Sequence, residues 1–343
     1  MQATTPPADV PGYRLESFLG SGAFGQVWVG RDLNTGRPVA VKFFLHRGGV
    51  NWSLLSHEVK NLVQLSADRH IVQVLEVGWD SDPPFYVMEL VTGGSLEDEL
   101  TNRGALPVSE AVALFRKICV GLNHSHSKGV LHCDLKPANI LLGEDHEPRL
   151  ADFGQSRMTH DQTPALGTLF YMAPEQADLG STPSSYWDVY AVGAIMYRML
   201  TGGPPYRDDS IIEQLDTAGS LPKRLQRYRE SIQQANPPSR HVQLPGVDRE
   251  LSRIVSRCLA ADPEDRFTNV QEILDRLDRR AEMRAKRPLI LLGVLGPILL
   301  LVATGIFASR TIKQASKSLT DGLRQEAFES NRRAATSAAL SMP

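Results

Sequence analysis

The sequence predicts an α+β fold of two lobes, a small antiparallel β lobe built around one main helix and a larger, mostly helical lobe, followed by a transmembrane helix. Three features carry this. Residues 13–90 are strand-like with glycine turns and one helical stretch. Beyond Thr92-Gly93-Gly94-Ser95 helical spacing dominates, and Pro288 to Ser309 runs for 22 positions without a charged side chain.

Each element follows from local pattern. Met1 to Val10 is a Thr/Pro-rich tail with no apolar period, and residues 1–12 are expected to be disordered. Tyr13-Arg14-Leu15-Glu16 leads into a glycine turn, Gln26-Val27-Trp28-Val29-Gly30 reads as a second strand, and Val39-Ala40-Val41-Lys42-Phe43-Phe44 reads as a third. Leu54, Leu55, Val59, Leu62 and Leu65 fall at helical spacing, and strand character returns at Ile71 to Val77 and Phe85 to Leu90. The order βββαββ makes a small lobe of 13–88, joined through a hinge at 89–92 to a large lobe of 93–280. Helices are expected at Leu96 to Leu100, Val108 to Lys128, about Tyr186 to Leu200, about Ile211 to Ser220, Arg249 to Leu259 and Val270 to Arg284.

Composition narrows the function classes. A chain of 343 residues that is 42 % apolar can bury an ordinary core. A net charge of -2 gives no basis for a nucleic-acid partner, whose phosphates call for a strongly basic face. Cys119, Cys133 and Cys258 lie far apart without CxxC pairing, so neither a disulfide framework nor a zinc site is indicated and a reducing compartment fits.

The uncharged run at 288–309 is long enough to span a bilayer, where a buried soluble helix would rarely stay charge-free for so long. Met1 to Asp9 lacks the apolar core of a signal peptide, so residues 1–287 are expected to stay on one side. Six basic residues (Arg276, Arg279, Arg280, Arg284, Lys286, Arg287) precede the run and four (Arg310, Lys313, Lys317, Arg324) follow it, which makes 281–287 a basic juxtamembrane segment. In 310–343, an expected extracytoplasmic helical segment, Ile312, Ala315, Leu319, Leu323, Ala327 and Ala334 recur at helical intervals. Such a face could pair two protomers or open a sensor domain.

Two blocks carry chemistry. Gly20-Ser21-Gly22-Ala23-Phe24-Gly25-Gln26-Val27 fits GxGxxGxV, whose side-chain-free positions let backbone N–H groups approach phosphate. Alone it reads equally as a bare glycine turn; a dinucleotide fold would need a helix directly after it, where Gln26 to Gly30 reads as a strand. The second block is His132-Cys133-Asp134-Leu135-Lys136-Pro137-Ala138-Asn139, followed 18 residues after Asp134 by Asp152-Phe153-Gly154. It supplies the two carboxylates, lysine and amide that phosphoryl transfer from a metal nucleotide needs.

In combination these blocks resemble Hanks-type (eukaryotic-like) serine/threonine protein kinases, over about Tyr13 to Arg280 with every motif in order; with one span added, the chain is similar to bacterial receptor-type kinases. The resemblance implies the protein kinase fold, ATP and Mg2+ (Mn2+ as a substitute), and transfer of the γ-phosphoryl group to serine or threonine of protein substrates. It makes Asp134 the base and orienter and Lys136 the charge partner of the transferring group, with Asn139 and Asp152 as metal ligands. Lys42 would meet the α and β phosphates with Glu58 as its ion-pair partner. Val27, Ala40 and Leu141 would sandwich adenine, Glu89 and Val91 would offer backbone hinge contacts, Met88 would be the gatekeeper, and Leu19, Gly20, Gly22 and Gly25 complete the ATP-contacting set.

Lys136 favours the serine/threonine class, and Gly167 to Glu175 agrees with it. Thr168 would brace Asp134 and Lys136 through its hydroxyl, Glu175 and Arg266 would form the large-lobe ion pair, and Asp188 would support the catalytic loop. A membrane-anchored signalling kinase, cytoplasmic in its N-terminal part and capable of homodimerisation, is the reading this gives.

Two departures remain. Cys133 stands where most of the family carries arginine, so a phosphate on Thr159 or Thr163 would find no guanidinium there. That single letter motivates the alternative of a pseudokinase acting as a membrane scaffold or nucleotide-sensing module; Cys133 itself is either inert packing or a redox switch. The stretch from Gly219 to Pro245, with Lys223, Arg224, Arg227 and Arg229, is longer than usual and reads as a solvated, helix-bearing insertion or a docking surface.

Overall fold

Alternating apolar positions set the small lobe. In the computed structural model, which describes residues 5–22, 25–45, 52–65, 68–153 and 166–340, with backbone alone at 52–58, 166, 287–294 and 334–340, five strands form one antiparallel sheet. These are β1 (Tyr13–Gly22), β2 (Gly25–Asp32), β3 (Pro38–Phe44), β4 (Val74–Gly78) and β5 (Phe85–Glu89), in the order β1-β2-β3-β5-β4. Because side chains alternate along a strand, Trp28, Val39, Val41, Phe43, Phe85 and Val87 share one face and close an apolar cluster over it. The opposite face carries Lys42 in register with Val27 and Tyr86, and Ala40 in register with Val29 and Met88.

Helix α1 (Trp52–Leu65) follows β3, and its Val59, Leu62 and Leu65 join the main core. Two boundaries differ from the sequence pattern. Val10 is buried and bridges Tyr13, so the tail expected to be disordered through residue 12 is pinned at its end by the small-lobe cluster. Strand β4 starts at Val74 because Ile71 and Val72 pair with Leu150 of the large lobe instead, Val72 N donating to Leu150 O at 3.0 Å.

The large lobe holds α2 (Leu96–Arg103), α3 (Val108–Ser127), a two-stranded sheet of β6 (Ile140–Leu142) and β7 (Pro148–Leu150), and α4 (Leu166–Leu169). Then come α5 (Ser185–Thr201), α6 (Asp209–Asp216), α7 (Leu221–Gln234), α8 (Arg249–Cys258) and α9 (Val270–Leu340). Ser95 begins α2 with a reciprocal capping box to Asp98, which satisfies two otherwise orphan donors. Helix α5 is apolar nearly all round and correspondingly buried; Ile118 and Leu122 of α3, Ile254 and Val255 of α8 and Ile273 of α9 share its core.

The insertion between Gly219 and Pro245 is helical, as α7. Leu221, Leu225, Tyr228 and Ile232 make its inward face, against Ile211 and Leu215 of α6 and against Leu169, Phe170 and Met172. Its cations are largely committed. Arg224 donates to Leu215 O at 3.1 Å and Arg227 to Gln214 O at 2.7 Å, placing positive charge on carbonyls at the C-terminal end of α6, while Arg229 pairs with Asp178 at 3.1 Å. This arrangement supports a structural insertion and leaves little free charge for docking.

The chain divides into two units, Met1–Arg280 and Ala281–Pro343. The second is helical to Leu340, and among the described residues one helix is long and apolar enough to cross a membrane, with a candidate segment at Leu295–Arg333.

At Gly193 the α5 backbone lies so close to α8 that an added Cβ would overlap the Cβ of Cys258. Gly193→Ala should therefore destabilise the protein by about 1–3 kcal/mol, as overpacking in a closed core does. A lowered urea midpoint at constant slope is the expected result; an unchanged midpoint would mean the two helices part at no cost.

Candidate active site

The site is assembled from α5 outward. Asp188, in the first turn of α5, is 0 % exposed and has three donors: His132 N at 2.9 Å and His126 Nε2 at 2.8 Å to Oδ2, and Cys133 N at 2.8 Å to Oδ1. Burial works against the charged form, yet the hydrogen bond and charge of His126 and the contacts from His132 hold the carboxyl below its ordinary value. The loop bound this way turns sharply. Cys133 adopts φ 62°, a left-handed conformation uncommon for a residue with a Cβ, and its carbonyl accepts Gln176 Nε2 at 2.6 Å.

Asp134 leaves this turn beside the groups its motif supplies. Lys136 Nζ lies 2.7 Å from Asp134 Oδ2, and Asn139 Nδ2 donates to Asp134 O at 2.9 Å and to Oδ2 at 3.2 Å. Pro137 opens a short 3-10 turn, Pro137–Asn139, and Asn139 O accepts Ala151 N at 2.9 Å, which brings the 132–139 loop against the residue preceding Asp152.

Asp152 is also left-handed, at φ 58°, and Lys42 Nζ reaches its Oδ1 at 2.8 Å from the small lobe. The Lys42 charge outweighs burial and holds the Asp152 carboxyl below its ordinary value. Lys42 lies over the rings of Phe44 and Tyr86, at 5.6 and 5.8 Å. The expected Glu58 partner has its side chain outside the described residues, as do Ala23, Phe24, Gly154, Thr159 and Thr163 in full.

On the same sheet face as Lys42, Val27, Ala40 and Met88 form a wall, while Leu19 is 55 % exposed at the edge. Gly20 and Gly22 end β1 and Gly25 opens β2, where an added Cβ would strike the Phe43 carbonyl. Leu141 sits in β6, bridged to Ser95, and Val91 follows β5 half-buried. The Glu89 side chain is engaged away from that face: Oε1 accepts Gln73 N at 3.0 Å and Oε2 lies 3.5 Å from Arg149 Nε.

The 166–177 segment is fixed from below. Arg266, 0 % exposed, binds Glu175 with two parallel contacts of 2.7 and 2.8 Å and donates to Ala260 O, Ala261 O and Tyr186 O. Thr168 lies in α4, and among the described residues its hydroxyl makes no hydrogen bond to Asp134 or Lys136, which pair with each other. The Cys133 thiol packs in the main core, where burial, then Asp188 and Asp134, push its pKa well up, so it is held as an inert thiol. His126 and Gln176 escaped the sequence reading, since neither stands in a spacing that points to the loop they touch.

Residues 13–277 match the protein kinase domain family. The chain belongs to the protein kinase family. Among relatives of this kinase domain, serine/threonine-protein kinase PknB of Mycobacterium leprae (strain TN) is 32 % identical over 283 residues, 79 % of this chain and 43 % of the relative. Serine/threonine-protein kinase PknL of Mycobacterium tuberculosis (strain CDC 1551 / Oshkosh) is 33 % identical over 266 residues, 75 % of this chain and 62 % of the relative. The chain thus spans about half the length of the curated relatives it matches.

His132 joins this loop to Phe153 by a ring contact at 4.6 Å, and neither ring nitrogen has a hydrogen-bond partner among the described residues. Burial lowers its pKa from the ordinary 6.5, against the pull of Asp188 and Asp134. A histidine depressed in the folded state binds its proton more readily when unfolded, so its contribution is intact above about 6.5 and is lost as pH falls through the lower folded value. Urea midpoints between pH 7.5 and 5 should therefore fall less steeply in His132→Phe than in the wild type. Parallel curves would show that this ring does not titrate on unfolding.

Proposed function

We propose that the chain is an ATP-dependent serine/threonine protein kinase, anchored by a single membrane helix, that transfers the γ-phosphoryl group of Mg·ATP to hydroxyls of protein substrates. The observation that carries the reading is the convergence of Lys42 on Asp152 and of Lys136 and Asn139 on Asp134, at 2.7 to 3.2 Å, on two segments joined by Asn139 O and Ala151 N. Five groups of the type phosphoryl transfer requires thus meet from both lobes.

The donor set fits a magnesium nucleotide. The Asn139 amide nitrogen is spent on Asp134, which leaves its oxygen as the coordinating atom, and Asp152 adds a carboxylate held ionised by Lys42. Among the described residues no group of three or more His, Cys, Asp or Glu could hold a metal by itself. That suits a cation that arrives with phosphate oxygens and needs only one or two from the protein.

In this reading Asp134 orients the acceptor hydroxyl and takes its proton, and Lys136 offsets the charge that develops on the transferring group. Lys42 holds the α and β phosphates under backbone N–H groups of Gly20, Gly22 and Gly25. Val27, Ala40 and Leu141 enclose adenine beside Met88 and Leu19, with the backbone of Glu89 and Val91 at the hinge. With the Glu89 carboxylate committed to Gln73 and Arg149 and its N–H given to Gln73 O at 2.9 Å, its main-chain carbonyl is the group offered to a base.

The apolar helix supports anchoring, the need for ATP puts the kinase domain on the ATP-containing side, and two copies paired through 310–343 would supply a control that a phosphate on Thr159 or Thr163 facing the neutral Cys133 cannot. Membranes from cells making the full chain, washed at alkaline pH, test both parts with radiolabelled Mg·ATP and a generic acceptor protein. Transfer should stay with the pellet and fall by about 10² to 10⁴ in Asp134→Asn, the range for loss of a positioned base. Activity released by the wash would remove the anchor, and nucleotide binding without transfer would favour the scaffold alternative.

A further inference from the structure

We infer that Gln176 is a positioning residue for Asp134, tying the end of the 166–177 segment to the catalytic loop through the Cys133 carbonyl. Its consequence for turnover rests on the phosphoryl-transfer reading above; the contact itself stands on geometry. Cys133 occupies a left-handed conformation, φ 62°, that L residues avoid and that needs restraint from outside. Restraint comes from two sides. The Cys133 N–H is taken by Asp188 at 2.8 Å, and its carbonyl by Gln176 Nε2 at 2.6 Å.

The second contact controls direction. A peptide unit is planar, so the orientation of the Cys133 carbonyl fixes the plane whose other end is the Asp134 nitrogen, and with it the start of the Asp134 side chain. The two contacts divide the labour: Asp188 holds the peptides entering the turn, and Gln176 holds the one leaving it.

The donor is itself rigidly mounted. Gln176 lies in the turn Pro174–Ala177, its N–H donates to Ala173 O at 3.0 Å, and Pro174 and Ala177 on either side are buried. Its neighbour Glu175 is clamped in two contacts by the fully buried Arg266. Among the described residues, the Gln176 amide makes the one side-chain hydrogen bond between 166–177 and 132–139. The Cys133 side chain, neutral and buried, adds no charged tie of its own. Seating of the 166–177 segment and aim of the base are therefore linked through an uncharged contact that requires no phosphate.

The test uses the full chain in detergent with Gln176→Glu, which keeps the shape and replaces the donor by an acceptor, and Gln176→Leu, which removes it. Dephosphorylated casein and Mg·ATP serve as substrates. Each variant should lose about tenfold in kcat, the loss expected when one hydrogen bond no longer aims a reacting group. KM for Mg·ATP should stay within about twofold, since no nucleotide contact is touched, and the thermal midpoint should fall by no more than the few degrees one lost hydrogen bond costs, too little to unfold the protein in the assay.

Variants with kcat within twofold of wild type would overturn the inference, as would a kcat loss that tracks a lowered midpoint or a raised KM. Amide hydrogen exchange over residues 132–136 reads the same contact without turnover: faster exchange in Gln176→Leu supports it and unchanged exchange sinks it. A wild-type protein that transfers no phosphate would count against the kinase reading alone, and exchange would then judge the contact.

Discussion

A single buried carboxylate organises this molecule. Asp188 enters the core on α5, the most completely buried helix of the large lobe, and spends its two oxygens on three donors, two of them backbone N–H groups of the loop that carries Asp134. A carboxylate without those donors would be too costly to bury, and the loop without that carboxylate would lose the restraint on its entering peptides. Each depends on the other. The arrangement explains how Cys133 is held left-handed, and why Asp134, Lys136 and Asn139 then meet within hydrogen-bonding distance.

The Arg266–Glu175 ion pair plays the corresponding role for the 166–177 segment. Arg266 is enclosed with its donors satisfied by Glu175 and by three carbonyls, so the pair is compensated and its geometry fixed. Two anchors thus hold the 132–139 loop, Asp188 through His132 and Cys133 and Arg266 through Glu175 and its neighbour Gln176. The small lobe contributes Lys42, delivered by β3 register to the face that also bears Val27, Ala40 and Met88.

Much of this was legible in the chain because it is local. The alternation in Val39 to Phe44, the helical spacing of Val59, Leu62 and Leu65, and the HxDLKPxN block followed by Asp-Phe-Gly all depend on residues near one another in sequence. What escaped is what tertiary contact decides. The three-residue strands β6 and β7 are too short to show a period, Ile71 and Val72 were drawn from β4 to Leu150 by the other lobe, and Val10 was pinned by a cluster that forms only in the folded sheet. Likewise the commitment of Glu89 to Arg149, the capping of α6 by Arg224 and Arg227, and the grip of Gln176 on Cys133 join residues whose spacing signals nothing. The odd letter at 133 was visible at once, but only burial showed that its side chain is packing and that its backbone carries the consequence.

One buried acceptor, Asp188, builds the 132–139 loop. Asp188→Asn tests it most directly, since the amide keeps the volume but offers one acceptor oxygen to three donors and turns an N–H toward them. Single-turnover phosphoryl transfer by the full chain should fall by about 10² or more, as misplacement of reacting groups by an ångström does. Mg·ATP affinity should stay within a few-fold. Transfer at the wild-type rate in a folded Asp188→Asn protein would contradict the account.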